Sequence, residues 1–256
     1  MLLAIDVGNS TMTLGIFVDD ELQAHGRFTT RRDATPDELG GQLLTFLSQR
    51  GVSAKVEAMA VSSVVPSLSQ PLAEMARSYL GLEALFVGPG TRTGMEIHYD
   101  PARDVGADRI VTAVGVHHRY GGPAIMVSFG TATVFDAIDE NGSYLGGAIA
   151  PGLQLSVDAL FARAARLPRV DLVAPAKTLG RTTVTSVQAG IMYGAAAQAE
   201  GMIARIRLEM AGEPKVVATG GLASLVAPLV RGVDIIDPLV LLEGLRVLEL
   251  LNRSYD

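Results

Sequence analysis

The 256-residue chain has no cysteine. Disulfides, thiolate-ligated zinc and thiol catalysis are therefore excluded, and a reducing compartment suits the chain. No segment is strongly basic and the net charge is -6, which argues against nucleic-acid binding through the phosphate backbone. No uninterrupted apolar run reaches the roughly 18 residues of a membrane span. The first residues, "MLLAIDVGNS", carry no basic n-region and are broken early by Asp6, unlike a signal peptide. The Rossmann and P-loop glycine motifs are missing as well. Hydrophobic residues make up 48% and charged residues 19%, enough for one large or two small cores and far from a disordered composition. A cytoplasmic α/β protein is expected, with no membrane or nucleic-acid partner.

The chain opens "LLAID", turns at Gly8-Asn9, and continues through "TMTLGIFV", a turn at Asp19-Asp20 and "LQAHGRFTT". Partial alternation and β-branched residues make these three strands of an antiparallel meander. Thr35-Pro36-Asp37-Glu38 is a capping box with proline at the first helical position, opening a helix to about Arg50. "VEAMAVSSVVP" reads as a strand, "SLSQPLAEMARSYL" as a helix, "ALFVG" as a strand and "GADRIVTAVGVHHRYG" as a helix. Then the opening pattern returns. A shift of 122 residues places Gly8 on Gly130, Thr11 on Thr133, Asp19-Asp20 on Asn141-Gly142 and Leu22 on Tyr144. Asn-Gly is a strong type I′ hairpin signal.

The repeat predicts two similar domains facing each other, 1–117 and 118–256. Further on, "PGLQLSVDALFARAARLP" reads as a helix. Thr182 or Thr183 caps a long Ala- and Gly-rich helix from about Val184 to Met210. "KVVATGGLA" is a strand stopping on Gly220-Gly221, "VDIID" is another, and Asp237-Pro238 opens a last helix that could pack back on the first domain.

A tight turn between strands presents consecutive backbone N–H groups, a nest suited to phosphate. Glycine lets the backbone come close, and serine and threonine add hydroxyl donors. The turns after Asp6 and after Ser128 are both of this kind, so a polyphosphate gripped from two sides is one reading and a pair of ordinary hairpins is the other. Asp6 could orient a hydrated Mg²⁺. Gly220-Gly221 offers a flat surface to a base or ribose, or is a plain strand-to-helix turn. Asp108 lies near a helix start, where the dipole favours a carboxylate; it is either a base or an N-cap paired with Arg109. His117 and His118 are adjacent on a helix and point in different directions, which disfavours a metal site. Arg31-Arg32 reads as a solvated face.

The elements "IDVGNST", "FGTAT" and "ATGGLA", in that order on a duplicated meander, resemble the actin/hexokinase/Hsp70-type ATPases. The implied fold is α/β, two ribonuclease-H-like domains whose mixed sheets each open with an antiparallel β-meander. More narrowly, "SSVVPS", "GADRIVTAV", "FGTATVFDAI", "GGAIAPGLQLS" and "TTVTSVQAGIMYG" resemble the type III pantothenate kinases over nearly the whole length. That resemblance implies a homodimer that phosphorylates pantothenate with ATP and Mg²⁺, the first committed step to coenzyme A. It assigns nucleotide contacts to Asp6, Val7, Gly8, Asn9, Ser10, Thr11, Met12 and Thr13, to Thr131, and to Gly220 and Gly221. Tyr99, Gly106, Ala107, Asp108, Arg109 and Thr183 are assigned to the substrate. Asp108 takes the place of the catalytic base, and Asp6 that of a Mg²⁺ contact through water.

One position departs from the pattern. The family's second loop opens with an aspartate that binds a monovalent cation, K⁺ or NH₄⁺; here it is Ser128. Three outcomes are open: independence of potassium, a charge supplied by another group or subunit, or a weakened or inactive member acting as a binding or regulatory protein.

Overall fold

The computed structural model describes residues 1–52, 55–164 and 167–253. The chain divides into two compact units: Met1–Met95, Tyr99–Arg119 and Val240–Asp256 form the first, Glu96–His98 and Tyr120–Leu239 the second.

In the first unit β1 (Leu2–Val7), β2 (Thr11–Val18) and β3 (Glu21–Thr29) form the meander. β4 (Ala58–Ser63) and β5 (Leu85–Phe86) extend the sheet in parallel, giving the order β3-β2-β1-β4-β5. β1 is apolar along almost its whole length because it is central and covered on both faces. Helix α1 (Pro36–Gln49) opens on the Thr35–Glu38 capping box read from the sequence. Its Leu39, Leu43, Phe46 and Leu47 enter a core with Leu3, Ile5, Val7 and Met59. Each such buried side chain contributes roughly 1.5–3 kcal/mol.

The expected helix from Ser67 to Leu80 is three pieces: a 3₁₀ turn Pro66–Leu68, α2 (Ser69–Met75) and a wider π turn Ala76–Leu80 that Gly81 closes at φ 69°. Helix α3 (Ala107–Tyr120) follows. At Gly115 a Cβ would lie 2.2 Å from the Val240 carbonyl oxygen, and at Gly244 one would lie 1.9 Å from that of Val111. These two glycines let α3 cross the C-terminal helix, Val240–Arg253, backbone to backbone, and that helix packs on β1 and β4. The start of α3 is thereby tied to the central strands.

The second unit repeats the plan. β6 (Ala124–Phe129), β7 (Ala132–Ile138) and β8 (Tyr144–Pro151) form its meander. β9 (Lys215–Thr219) and β10 (Ile235–Ile236) complete the order β8-β7-β6-β9-β10. Both end strands, β5 and β10, have only two residues, shorter than "ALFVG" and "VDIID" suggest. Helix α4 (Leu153–Arg163) ends before the Pro168 to which the sequence pattern carries it; Ala165 and Arg166 lie outside the described residues. α5 (Thr183–Glu209) is capped by Thr182, whose side chain accepts from the Thr185 N–H. After the short α6 (Ala223–Val226), the C-terminal helix is α7.

The ladders correct one alignment. Val7 pairs with Met12, and Phe129 pairs with Thr133. Thr133 is therefore the counterpart of Met12, and Ala132 that of Thr11, because the second turn is one residue shorter. From there the copies run in step: the meander bulges between Ile16 and Phe17 in one and between Ala137 and Ile138 in the other. Leu22 and Tyr144 stay equivalent, each opposite the residue just after the bulge.

Candidate active site

In the first unit, Asp6 lies near the end of β1, beside Thr13 of β2 and Ser62 of β4. Burial pushes its pKa from 3.8 to about 7; the negative charge of Asp108 pushes it the same way, and the Ser62 hydroxyl opposes both. Ser62 Oγ is itself buried, near enough to act on Asp6 but without a hydrogen bond of proper geometry among the described residues. The charge of Asp108 thus reaches Asp6, although burial is the larger cause of the shift.

Asp108 lies in the first turn of α3, one residue inside the helix that begins at Ala107, so it is not the cap. Its carboxylate folds back over Gly106, where a Cβ would meet Asp108 Oδ1 at 2.6 Å. Arg109 is buried and lies 5.7 Å above the centroid of the Tyr99 ring, a cation–π contact. The structure therefore brings Asp6 to Asp108 and Arg109 to Tyr99.

The turn after Asp6 runs Gly8-Asn9-Ser10-Thr11, closed by Gly8 N–H donating to Thr11 O at 3.0 Å, with Asn9 and Ser10 exposed at its tip. Val7 and Met12 have their side chains in the hydrophobic core, so only their backbone is available to a ligand. A strap that the sequence did not reveal holds this turn. Thr30 donates its N–H to Ser10 O at 3.1 Å and its hydroxyl to Gly8 O at 2.7 Å, and Arg32 Nη2 donates to Asn9 Oδ1 at 3.0 Å. The only signal was "TTRR", which begins on the last residue of the third strand.

In the second unit the shorter turn, Gly130-Thr131-Ala132, is closed by Gly130 N–H to Ala132 O at 3.0 Å, and Thr131 is exposed. Gly152 donates its N–H to Thr131 O at 3.2 Å, and a Cβ there would lie 2.3 Å from that oxygen. Gly220 packs from the other side: its φ is +91°, and a Cβ would come within 2.7 Å of Phe129 O. So β9 delivers Gly220-Gly221 against the backbone that enters the second turn. The Gly152 contact was not read from the sequence; its only cue was its position between a strand and a helix. Ser128 is flanked by Val134 and Thr219, the positions that Thr13 and Ser62 occupy beside Asp6. Thr183 is the first residue of α5 and lines an open pocket of about 660 Å³ with Gly180, Arg181, Thr182 and Ser186.

Comparison with known proteins places this geometry. Residues 2–205 match the family described as type III pantothenate kinase. The chain belongs to the type III pantothenate kinases. A relative of that name from Moorella thermoacetica is 54% identical, covering 96% of this chain and 98% of its own length. Another, from Brevibacillus brevis, is 46% identical over 99% and 100%. Among solved structures, the activator of the 2-hydroxyisocaproyl-CoA dehydratase from Clostridium difficile with bound ADPNP is similar at TM-score 0.60 and 12% identity, covering 100% of this chain and 98% of that one. A likeness at that identity speaks for the fold: two mixed five-stranded sheets of the actin-like ATPase type. No helix among the described residues is long and apolar enough to cross a membrane.

Proposed function

We propose that this protein transfers the terminal phosphoryl group of ATP to the primary hydroxyl of pantothenate. The observation that carries the reading is the Asp6–Asp108 pair, two carboxylates from different elements close enough for one to raise the pKa of the other. Asp108 has the role of base: it orients the hydroxyl and accepts its proton late, because a loose transition state asks for little proton transfer beforehand. Arg109 and Tyr99 fix the substrate beside it, and Thr183 is a further substrate contact.

Asp6 would hold hydrated Mg²⁺. A single carboxylate suits an ion that keeps several of its own waters and would otherwise be bound by phosphate oxygens. Bound Mg²⁺ supplies neutralisation of phosphate charge. The backbone from Asp6 to Thr13, together with Thr131, Gly220 and Gly221, supplies the nucleotide contacts. At Ser128 a monovalent cation would find a neutral oxygen in place of a carboxylate, so weak or absent dependence on K⁺ or NH₄⁺ follows. The protein works in the cytoplasm as a homodimer. The exposed face of α5 supports the dimer: Gly190, Gly194, Ala197 and Ala204 present a smooth small-residue stripe, with open space above both glycines.

The test is ATP turnover with pantothenate, with and without potassium, for the native protein and Asp108→Asn. Turnover lost in the variant supports the base. No turnover by the native protein with any cation sinks the kinase reading.

A further inference from the structure

Two adjacent arginines follow the first meander, and they are treated differently. Arg31 is neutralised: its guanidinium lies 3.2 Å from Glu38 Oε1 and 3.8 Å from Asp33 Oδ1. Arg32 has no carboxylate within ion-pair distance among the described residues. Its side chain instead donates to a neutral amide oxygen, Asn9 Oδ1, at the exposed tip of the first turn. Its backbone is pinned as well, with Arg32 O accepting from Ser67 Oγ at 3.1 Å. The strap around Thr30 fixes the same turn through Gly8 and Ser10. An unneutralised guanidinium is therefore held at both ends beside a phosphate-type nest that follows Asp6 in the chain. Holding a long, flexible cation in one place costs side-chain entropy, and an ion pair that would offset that cost is missing here.

We propose that Arg32 is a phosphate-contacting residue that binds the terminal phosphoryl group of the nucleotide. This deepens the kinase reading and rests on it. One Nη donor is committed to Asn9, which orients the plane; the remaining N–H groups form the fork that matches two phosphate oxygens. Charge in the transferring group spreads over its equatorial oxygens, and a fixed guanidinium stabilises it without reorganising. Asn9 is then a positioning residue that sets the angle of Arg32.

The experiment is calorimetric binding of AMP-PNP and of ADP, each with Mg²⁺, to the native protein, Arg32→Met, Arg32→Lys and Asn9→Ala, with thermal melts as a check on folding. Arg32→Met keeps the stem and removes the charge. It should weaken AMP-PNP by about 10- to 100-fold, as expected for a lost charge-assisted contact, and ADP by less than about threefold. Arg32→Lys should recover part of the loss, and Asn9→Ala should lose less than Arg32→Met. Equal weakening of both nucleotides, or a loss in Asn9→Ala as large as in Arg32→Met, would reduce Arg32 to a brace for the turn and overturn the proposal. So would unchanged binding. If the native protein binds nucleotide and turns over pantothenate while Arg32→Met keeps its preference for AMP-PNP, only this proposal fails; if the native protein binds neither nucleotide, the kinase reading fails with it.

Discussion

The two meanders share strand order, register and even the position of a bulge, but differ at their turns. In the first, a four-residue turn follows a carboxylate; in the second, a three-residue turn follows a serine. The strap repeats too. Thr30 donates its N–H to Ser10 O, and Gly152 donates its N–H to Thr131 O. Thr30 then leads to Arg31-Arg32 and α1, whereas Gly152 leads directly into α4. Duplication kept the scaffold, which depends on alternation and close packing. The charges were free to diverge, because they sit at turns where the fold asks only for a glycine and a hydrogen-bond donor. In this chain the first copy carries a carboxylate, Asp6, where the second carries Ser128.

The largest test of that asymmetry is to make the first copy resemble the second. Asp6→Ser should lower turnover about a thousandfold, since several kcal/mol of cation-assisted stabilisation are lost at roughly tenfold per 1.4 kcal/mol. Ser128→Ala should change it by less than about threefold, there being only a neutral oxygen to remove. Steady-state rates at saturating Mg²⁺ decide it; comparable losses in the two variants would mean that the copies share the work.

The next contrast is steric. Gly220→Ala should cost about 2 kcal/mol or more, because φ is +91° and the new Cβ would sit 2.7 Å from Phe129 O. Gly130→Ala should cost under about 1 kcal/mol, its Cβ meeting nothing closer than 3.6 Å. Denaturant melts compare them directly. If Gly130→Ala is the worse of the two, the second turn is under strain that its geometry does not reveal.

These glycines also mark how far the sequence could be read. Fold class was legible because the 122-residue repeat, the capping box at Thr35 and the Asn141-Gly142 hairpin are local patterns with local causes. Asp6 and Asp108 were legible as separate motifs, but their mutual effect needed α3 to be anchored through Gly115 and Gly244, a packing event between segments far apart in the chain. The contacts of Gly152 with Thr131 and of Arg32 with Asn9 were not legible for the same reason: the partners lie some twenty residues apart in the chain. Thr133 was misaligned because a fixed shift cannot register a turn one residue shorter.

A smaller effect concerns protons. Asp6 has a folded pKa raised from 3.8 to about 7, so between those values the folded state holds a proton that the unfolded chain has released. Its contribution therefore favours folding as pH falls from about 7 to about 4, and that contribution is lost as pH rises through 7. Turnover should run the other way, falling below pH 7 as a protonated Asp6 ceases to hold a cation. Carboxyl NMR titration of the nucleotide-free protein should find one aspartate titrating near 7 and moving down in Asp108→Asn. Ser128, at the position equivalent to Asp6, carries no such group.

The smallest expected effect runs in the constructive direction. Ser128→Asp restores a carboxylate beside Val134 and Thr219, at the position equivalent to Asp6. A charge there gives a monovalent cation a partner that the serine hydroxyl does not provide, so the variant should acquire a potassium response of a few-fold, on the order of 1 kcal/mol. The native enzyme should show a weak response or none. Rates in potassium against a large inert cation, at matched ionic strength, measure both. A native enzyme already stimulated steeply by potassium would mean that the charge comes from elsewhere, and the neutral character assigned to the second turn would have to be given up.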